Sequence, residues 1–341
     1  MPKNKLPKNF TFIDLFAGIG GFRIGMEAVG GKCVWSNDYD KFANQTYNHW
    51  FKDDINGSDI NEAINENIIP AHDVLCGGFP CQPFSNAGKR QGFEDAKQGH
   101  LFFSIEKIVQ QHQPKIIFLE NVRNVFKKET FDVIHSAFAS NYICARALIN
   151  AKAWVPQNRV RAFMLFFRRD LFTEEFVYVN FQQFLDAMTV KGKTEEIHFG
   201  TIREKPPSKD EYRITPGTWE SLKKHKARHL EEGRGFGFGL VDNNKPTRTL
   251  SARYFKDGAE ILIQEPYWRR PRKITINEGL SLMGYTKEYA KQYGFKNGFV
   301  FPSTVSRAQA YKQLGNSLVP KIIEEIAKNL ISSQTTKPKA Y

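Results

Sequence analysis

The sequence predicts an α/β protein with a doubly wound, mostly parallel sheet and a smaller inserted domain. Two observations predict it. Through the first 170 residues short apolar runs alternate with amphipathic stretches, the pattern of parallel strands covered by helices on both faces. From about Val190 to Lys273 that alternation weakens while Gly, Pro and charge rise, and helical spacing then returns. In order, strands are expected at Phe10–Phe16, Lys32–Ser36, Asp73–Gly77, Lys115–Glu120, Tyr142–Ile149 and Arg161–Arg168. Of these, Lys115-Ile-Ile-Phe-Leu is the clearest, being short, rich in β-branched residues, preceded by Pro114 and followed by a polar turn. Helical spacing marks Gly20–Val29, Tyr39–Asn48, Leu101–His112 and Thr130–Ala139, and later Ile274–Met283 and the amphipathic Pro320–Leu330. The expected units are therefore 1–189, an inserted lobe at 190–273, and helices in 274–341 that return to the first unit.

Charge is distributed unevenly between the halves. The 341 residues carry a net charge of +13, yet residues 1–150 hold 16 basic and 16 acidic side chains, so all of the excess lies in the second half. Residues 203–273 alone hold 17 basic against 10 acidic groups. A polyanionic partner would be met there. No apolar run approaches the roughly 18–20 residues of a membrane span, and the start lacks a signal peptide's apolar core, so a cytoplasmic protein with no membrane partner is expected. Four cysteines with no CxxC pair and no His-rich companion make neither a disulfide framework nor a zinc site, and no metal is expected.

Asp14-Leu-Phe-Ala-Gly-Ile-Gly-Gly21 is a strand running into a glycine turn that opens a helix, where a ligand can approach the backbone. Arg23 stands where the dinucleotide fingerprint needs its third glycine, which counts against NAD. Asp38, at the end of the second strand, can take both hydroxyls of a ribose, and Tyr39 can stack on an adenine. Each signal is commonly structural. Together they suggest a nucleoside ligand without a cradled pyrophosphate, of which S-adenosylmethionine is the common case.

Gly77-Gly-Phe-Pro-Cys-Gln-Pro-Phe-Ser85 follows the carboxyl end of a strand and sets Cys81 between prolines. Cys33, Cys76 and Cys144 sit in apolar runs and read as inert, whereas Cys81 has the context of a positioned nucleophile. Glu120-Asn-Val122 ends its strand at the same sheet edge, where Glu120 either shuttles a proton or caps the next helix. In Gln157-Asn-Arg-Val-Arg161, strand alternation puts Arg159 and Arg161 on one face, directed at that edge or into surface ion pairs.

These motifs, with Tyr311-Lys-Gln-Leu-Gly-Asn-Ser317 near the end, resemble the DNA (cytosine-5)-methyltransferases of bacterial restriction–modification systems, in the family's order and over nearly the whole chain. The resemblance implies a Rossmann-like S-adenosylmethionine-dependent catalytic domain. It places cofactor contacts at Phe16, Ile19, Gly21, Asp38, Tyr39, Asp59, Ile60, Pro80, Leu101, Asn316 and Ser317; Asp54-Ile55 offers the same dipeptide as Asp59-Ile60, which its distance to Cys81 favours. It implies that the target cytosine is flipped from duplex DNA, that Cys81 attacks C6, and that removal of the C5 proton later expels the thiolate. Glu120 would hold the N3 and N4 edge, Arg161 the base O2, and Arg159 would support the adduct and a phosphate.

The chain departs from the family at Asn277-Glu-Gly-Leu-Ser281, where Arg-Glu-x-Ala-Arg is usual; this bears on the packing of the target-recognition lobe and leaves Cys81 untouched. In that lobe Gly233-Arg-Gly-Phe-Gly-Phe-Gly-Leu240, by itself a flexible loop with aromatic anchors, and Thr247–Ile263 are similar to Dcm-like enzymes acting on the inner cytosine of CCWGG or CCNGG. Arg248 and Arg253 are then the candidate base readers, Thr249 with Leu250 a pair near the DNA backbone, and Ser85 a further DNA contact. The expected partner is double-stranded DNA, met by a monomer, with a cognate endonuclease sharing the site. The weighed alternatives are a tRNA cytosine-5 methyltransferase, a catalytically silent DNA-binding regulator and a small-molecule methyltransferase.

Overall fold

A computed structural model describes residues 6–79, 100–205, 210–233 and 237–331. Pro80, Cys81 and Ser85 lie outside the described residues. Six strands form one sheet: β1 (Thr11–Leu15), β2 (Lys32–Asn37), β3 (Val74–Gly77), β4 (Ile116–Val122), β5 (Tyr142–Asn150) and β6 (Val160–Arg168), in the order β2-β1-β3-β4-β6-β5. Strands β1 to β4 pair in parallel, and β6 runs antiparallel between β4 and β5. Side-chain alternation gives each strand two faces but no direction, so the reversal of β6 was not readable from its pattern.

Helices cover both faces, as a sheet buried on both sides requires. On one face, Phe12, Cys76, Phe118 and Leu165 pack with α1 (Gly21–Glu27) and the last helix. On the other, Ile13, Leu75, Ile117 and Met164 meet side chains of α3 (Ile60–Asn65), α4 (His100–His112) and α5 (Lys128–Phe138). Between α1 and α3 stands α2 (Lys41–Phe51), whose N-cap Asp40 accepts from Phe42 N at 2.9 Å and Ala43 N at 3.3 Å. The edge strand β5 is closed by a side chain: Gln182 accepts from Arg146 N and donates to Arg146 O, as a neighbouring strand would.

The second half holds α6 (Gln182–Thr194), α7 (Pro216–Glu231), α8 (Ile276–Leu282), α9 (Lys287–Gln292), α10 (Arg307–Asn316) and α11 (Pro320–Ile331). Helix α6 runs across position 190. Helix α7 stands where sequence texture suggested irregular structure; Thr215 caps it and Pro216 takes its first position. A small separate core of Ile214, Leu222, Phe238 and Leu262, with Trp219, holds α7 to the segments around Phe238 and Leu262. Phe238 is an aromatic anchor of the kind expected of the glycine-rich run; of its described glycines, Gly233 faces open space while Gly237 and Gly239 are packed. A Cβ on Gly237 would lie 2.7 Å from Lys226 Cγ, and one on Gly239 2.6 Å from the carbonyl of Glu260.

The carboxyl edge of the sheet as candidate active site

Strand β1 ends in a turn that ordinary residues resist. Phe16 has φ 55°, Gly18 55° and Gly20 81°, all left-handed. Glycine serves a different need at each position. A Cβ at Gly20 would meet Phe51 at 2.3 Å, and one at Gly21 would meet Leu318 at 2.8 Å, whereas Gly18 faces open space. The chain is thus pressed against α2 and the α10–α11 connection on one side and left free on the other. Asp38 locks this turn to the end of β2, accepting from Gly18 N at 2.7 Å and from Asp40 N at 2.8 Å. Burial raises the Asp38 carboxyl above its ordinary range, against those two backbone donors. Tyr39 beside it is 78% exposed, a bare aromatic surface at the mouth.

The other cofactor candidates converge on the same edge. Asn37 Nδ2 donates to Asn56 and to the carbonyl of Ser58, drawing in the chain that leads to Asp59. Asp59 caps α3, accepting from Asn61 N, and Ile60 is buried. Ser104, on the helix that carries Leu101, donates to Asn61 Oδ1 at 2.9 Å. From the far end of the chain, Lys312 pairs with Asp40 at 2.7 Å, which fixes α10 so that exposed Asn316, its last residue, and buried Ser317, its C-cap, lie next in sequence to the Gly21–Leu318 contact. Asp54 lies by Asp53, which pairs with Arg23 on the outer side of α1. Open space at Gly18, a half-buried acid beside it and an exposed aromatic suit a ligand with a ribose and an adenine, so these residues fit S-adenosylmethionine.

Glu120 stands on β4, two residues before the strand ends, and is not a helix cap. Its Oε1 lies 3.2 Å from Arg161 Nε on the neighbouring β6. Burial raises the Glu120 carboxyl, against the pull of Arg161 and Arg159, and burial likewise lowers Arg161. Asn121 Nδ2 donates to the carbonyl of Phe79 at 3.0 Å, and a Cβ on Gly78 would stand 3.4 Å from Glu120 Oε2. The chain therefore passes Glu120 three residues before Cys81 and Asn121 two residues before it. The remaining thiols are unlike a nucleophile: burial pushes Cys33 and Cys144 up to about 12, and Cys76 also well up.

Arg159 is buried behind this pair, close enough for its charge to act on both Glu120 and Arg161. It is 2% exposed, with Nη1 donating to Leu250 O at 3.0 Å and Nη2 to Gly315 O at 3.0 Å and to Ser317 O. Burial pulls its guanidinium down to about 9, aided by Arg161 and opposed by Glu120. In this arrangement Nη1 and Nη2 are bonded to carbonyls, while buried Nε has no hydrogen-bond partner among the described residues. Gln157, which the sequence reading left without a role, is wholly buried and bridges Leu282 O and Leu250 N. In the lobe, Arg248 Nη1 donates to Gly237 O at 2.6 Å, Thr249 Oγ1 donates to Asn158 O, and Arg253 is exposed.

The chain matches the C-5 cytosine-specific DNA methylase family over residues 10–332. It belongs to that family. It is 38% identical over 331 residues to the type II methyltransferase M.DsaV of Dactylococcopsis salina, covering 95% of this chain and 87% of that one. Against the DNA-cytosine methyltransferase of Escherichia coli K12 it is 35% identical, covering 94% and 77%. The fold is shared with the S. pombe Dnmt2 methyltransferase structure, with a TM-score of 0.74 at 18% identity over 94% of this chain and 98% of that one. The protein is accordingly an enzyme of the DNA (cytosine-5) methyltransferase class, with relatives among restriction–modification methyltransferases. Among the described residues no helix is long and apolar enough to cross a membrane.

The departure at Asn277–Ser281 has a structural account. Thr275 and Glu278 form a capping box that starts α8 without the usual arginines. Glu278 is fully buried and receives a forked pair from Arg272, at 2.7 and 2.9 Å. Arg272 also pairs with Glu265 at 2.7 Å, which in turn pairs with Arg203 at 2.7 Å. A guanidinium from outside the helix thus serves this glutamate, and the Thr-x-x-Glu spacing was the signal available for it in the sequence.

Proposed function

We propose that this enzyme transfers a methyl group to C5 of a cytosine within a specific double-stranded DNA site, through a covalent adduct between Cys81 and C6 of a flipped-out base. The observation that carries this reading is the Glu120–Arg161 pair at the carboxyl edge of the sheet, beside the chain that leads into Cys81. A base presented there meets an acid and a guanidinium fixed 3.2 Å apart on adjacent strands.

Bound S-adenosylmethionine supplies the methyl group that C5 accepts; Phe16, Ile19, Gly21, Asp38, Tyr39, Asp59, Ile60, Pro80, Leu101, Asn316 and Ser317 are the residues assigned to hold it. Cys81 adds as thiolate to C6, forming the C–S bond and moving the ring electrons toward C5. The raised Glu120 carboxyl holds a proton for N3 while accepting from the exocyclic N4 group, and so stabilises the negative charge that the addition develops. Arg161, held against Glu120, donates to O2. Arg159 supports this pair from behind with its positive charge. Loss of the C5 proton to a base restores the ring double bond and expels the thiolate.

The lobe around 190–273, whose first turns belong to α6, is assigned to hold the duplex, with Arg248, Thr249 and Arg253 facing it and Ser85 added from the catalytic side. The site class is CCWGG or CCNGG, modified at the inner cytosine. The protein works as a monomer in the cytoplasm, and a cognate endonuclease would share its site without touching it.

Mapping of methylated cytosines in DNA from cells expressing the chain tests substrate, product and site together. Methylated inner cytosines of CCNGG sequences are expected; methylation confined to tRNA, or absent, would overturn the assignment. Cys81→Ser should abolish methyl transfer and keep cofactor affinity, and retained activity in that variant would sink the covalent route.

A further inference from the structure

The segment Thr247–Ala252 is stitched into the catalytic body rather than laid over it. Thr247 N donates to Pro156 O at 2.9 Å, Asn158 N to Thr247 O at 2.8 Å, and Thr249 Oγ1 to Asn158 O. Leu250, wholly buried, gives its N–H to Gln157 Oε1 at 2.7 Å and its carbonyl to Arg159 Nη1 at 3.0 Å. The same Arg159 holds the carbonyls of Gly315 and Ser317 with Nη2. Gly315 is in direct contact with the lobe, since a Cβ there would stand 2.3 Å from the backbone of Ser251. One planar guanidinium therefore bonds both the segment bearing Arg248, Thr249 and Arg253 and the segment bearing Asn316 and Ser317. Gln157 ties the first of these to α8 through Leu282 O at 2.9 Å.

We propose that Arg159 and Gln157 are positioning residues that couple the two ligand sites, so that cofactor held at Asn316–Ser317 tightens duplex binding by the 247–253 segment, and duplex tightens cofactor. The inference rests on the assignment of those two segments in the proposed function. Its physical basis is the rigidity of the fork. The arginine plane cannot follow a shift of the Gly315–Ser317 carbonyls without reorienting its bond to Leu250, and close packing at Gly315 leaves no slack to absorb the difference. Coupling between two binding sites is reciprocal by linkage.

The test measures the dissociation constant of S-adenosylhomocysteine with and without a duplex containing CCAGG, CCTGG, CCGGG and CCCGG, and that of the duplex with and without S-adenosylhomocysteine. The wild type should show equal tightening in both directions, of at least about fivefold. Arg159→Lys keeps the charge but cannot form the fork, and should bring the ratio to about one, as should Gln157→Met. Thr249→Val removes only the half-exposed end of the junction, tolerates folding best, and should lower the ratio by a smaller factor. A wild-type ratio near one, or variants that keep the wild-type ratio, would overturn the coupling and leave the proposed function standing. Failure of the wild type to bind the duplex at all would strike the proposed function itself.

Discussion

The cofactor edge and the lobe junction are built in opposite ways. At the edge, each functional group comes from a short contiguous motif: the turn after β1, the Asp38-Tyr39 pair after β2 and the Glu120-Asn121 step on β4. At the junction the partners come from distant parts of the chain. Arg159 reaches Leu250 and Ser317, and Gln157 reaches Leu282, with backbone carbonyls as the acceptors. At the edge the Glu120–Arg161 pair keeps some exposure, while Arg159 at the junction and the neighbouring Arg272–Glu265–Glu278 cluster are almost wholly buried. The difference teaches that the candidate catalytic groups are specified locally, and that the placement of the segment proposed to read DNA is specified by buried long-range polar bonds.

Salt should separate the two regions most sharply. If the basic lobe neutralises several phosphates, duplex affinity falls by about 10³-fold between 50 and 200 mM salt, because released counterions dominate the binding free energy. Cofactor affinity, assigned above to residues in 1–121 with Asn316 and Ser317, should change far less. Titrations of both ligands across that range check this, and equal slopes would break the proposed division between a neutral ligand edge and a basic duplex surface.

A smaller effect is expected from the buried ion cluster. Glu278→Ala leaves Arg272 wholly buried with one carboxylate partner in place of two, and removes the acceptor for Thr275 N and Glu204 N. Breaking a buried pair in this way costs about 3–5 kcal/mol. Thermal or denaturant unfolding checks it. If the cluster belongs to lobe placement, duplex binding is lost at temperatures where cofactor binding survives; simultaneous loss of both would merge the two regions into one cooperative unit.

What the sequence disclosed follows the same division. Strand ends, the left-handed glycine turn and the Glu120 position were legible because they depend on local pattern and on residues adjacent in the chain. Helix α7 could have been found from Thr215-Pro216, a cap followed by proline at the first helical position. The seat of Arg159 could not. Its alternation with Arg161 is correct for a strand, but its partners are main-chain carbonyls 91 and 158 residues away, and carbonyls leave no residue-type signal. Gln157 escaped notice for the same reason. The assignments of Cys81, Pro80 and Ser85 rest on motif alone.

Asp14 offers the smallest test, and one confined to the edge. It shares a sheet face with Cys76 and Phe118, is wholly buried, and among the described residues neither carboxyl oxygen has a partner within hydrogen-bond geometry. Burial pushes its carboxyl from 3.8 up to about 8, against the pull of Arg23. The folded state therefore holds a proton that the unfolded chain releases between these two values, and stability must fall as pH rises from about 4 to 8. Each unit of that window costs about 1.4 kcal/mol, so wild type should lose roughly 2–3 kcal/mol relative to Asp14→Asn between pH 6 and 8. The variant keeps the shape and neutrality of the protonated acid, so the two proteins should converge in stability toward pH 4. Parallel melting curves at pH 6, 7 and 8 would show that the carboxyl is solvated or paired in solution. Divergence with pH, at unchanged salt dependence of duplex binding, would place this sensitivity in the edge and leave the junction out of it.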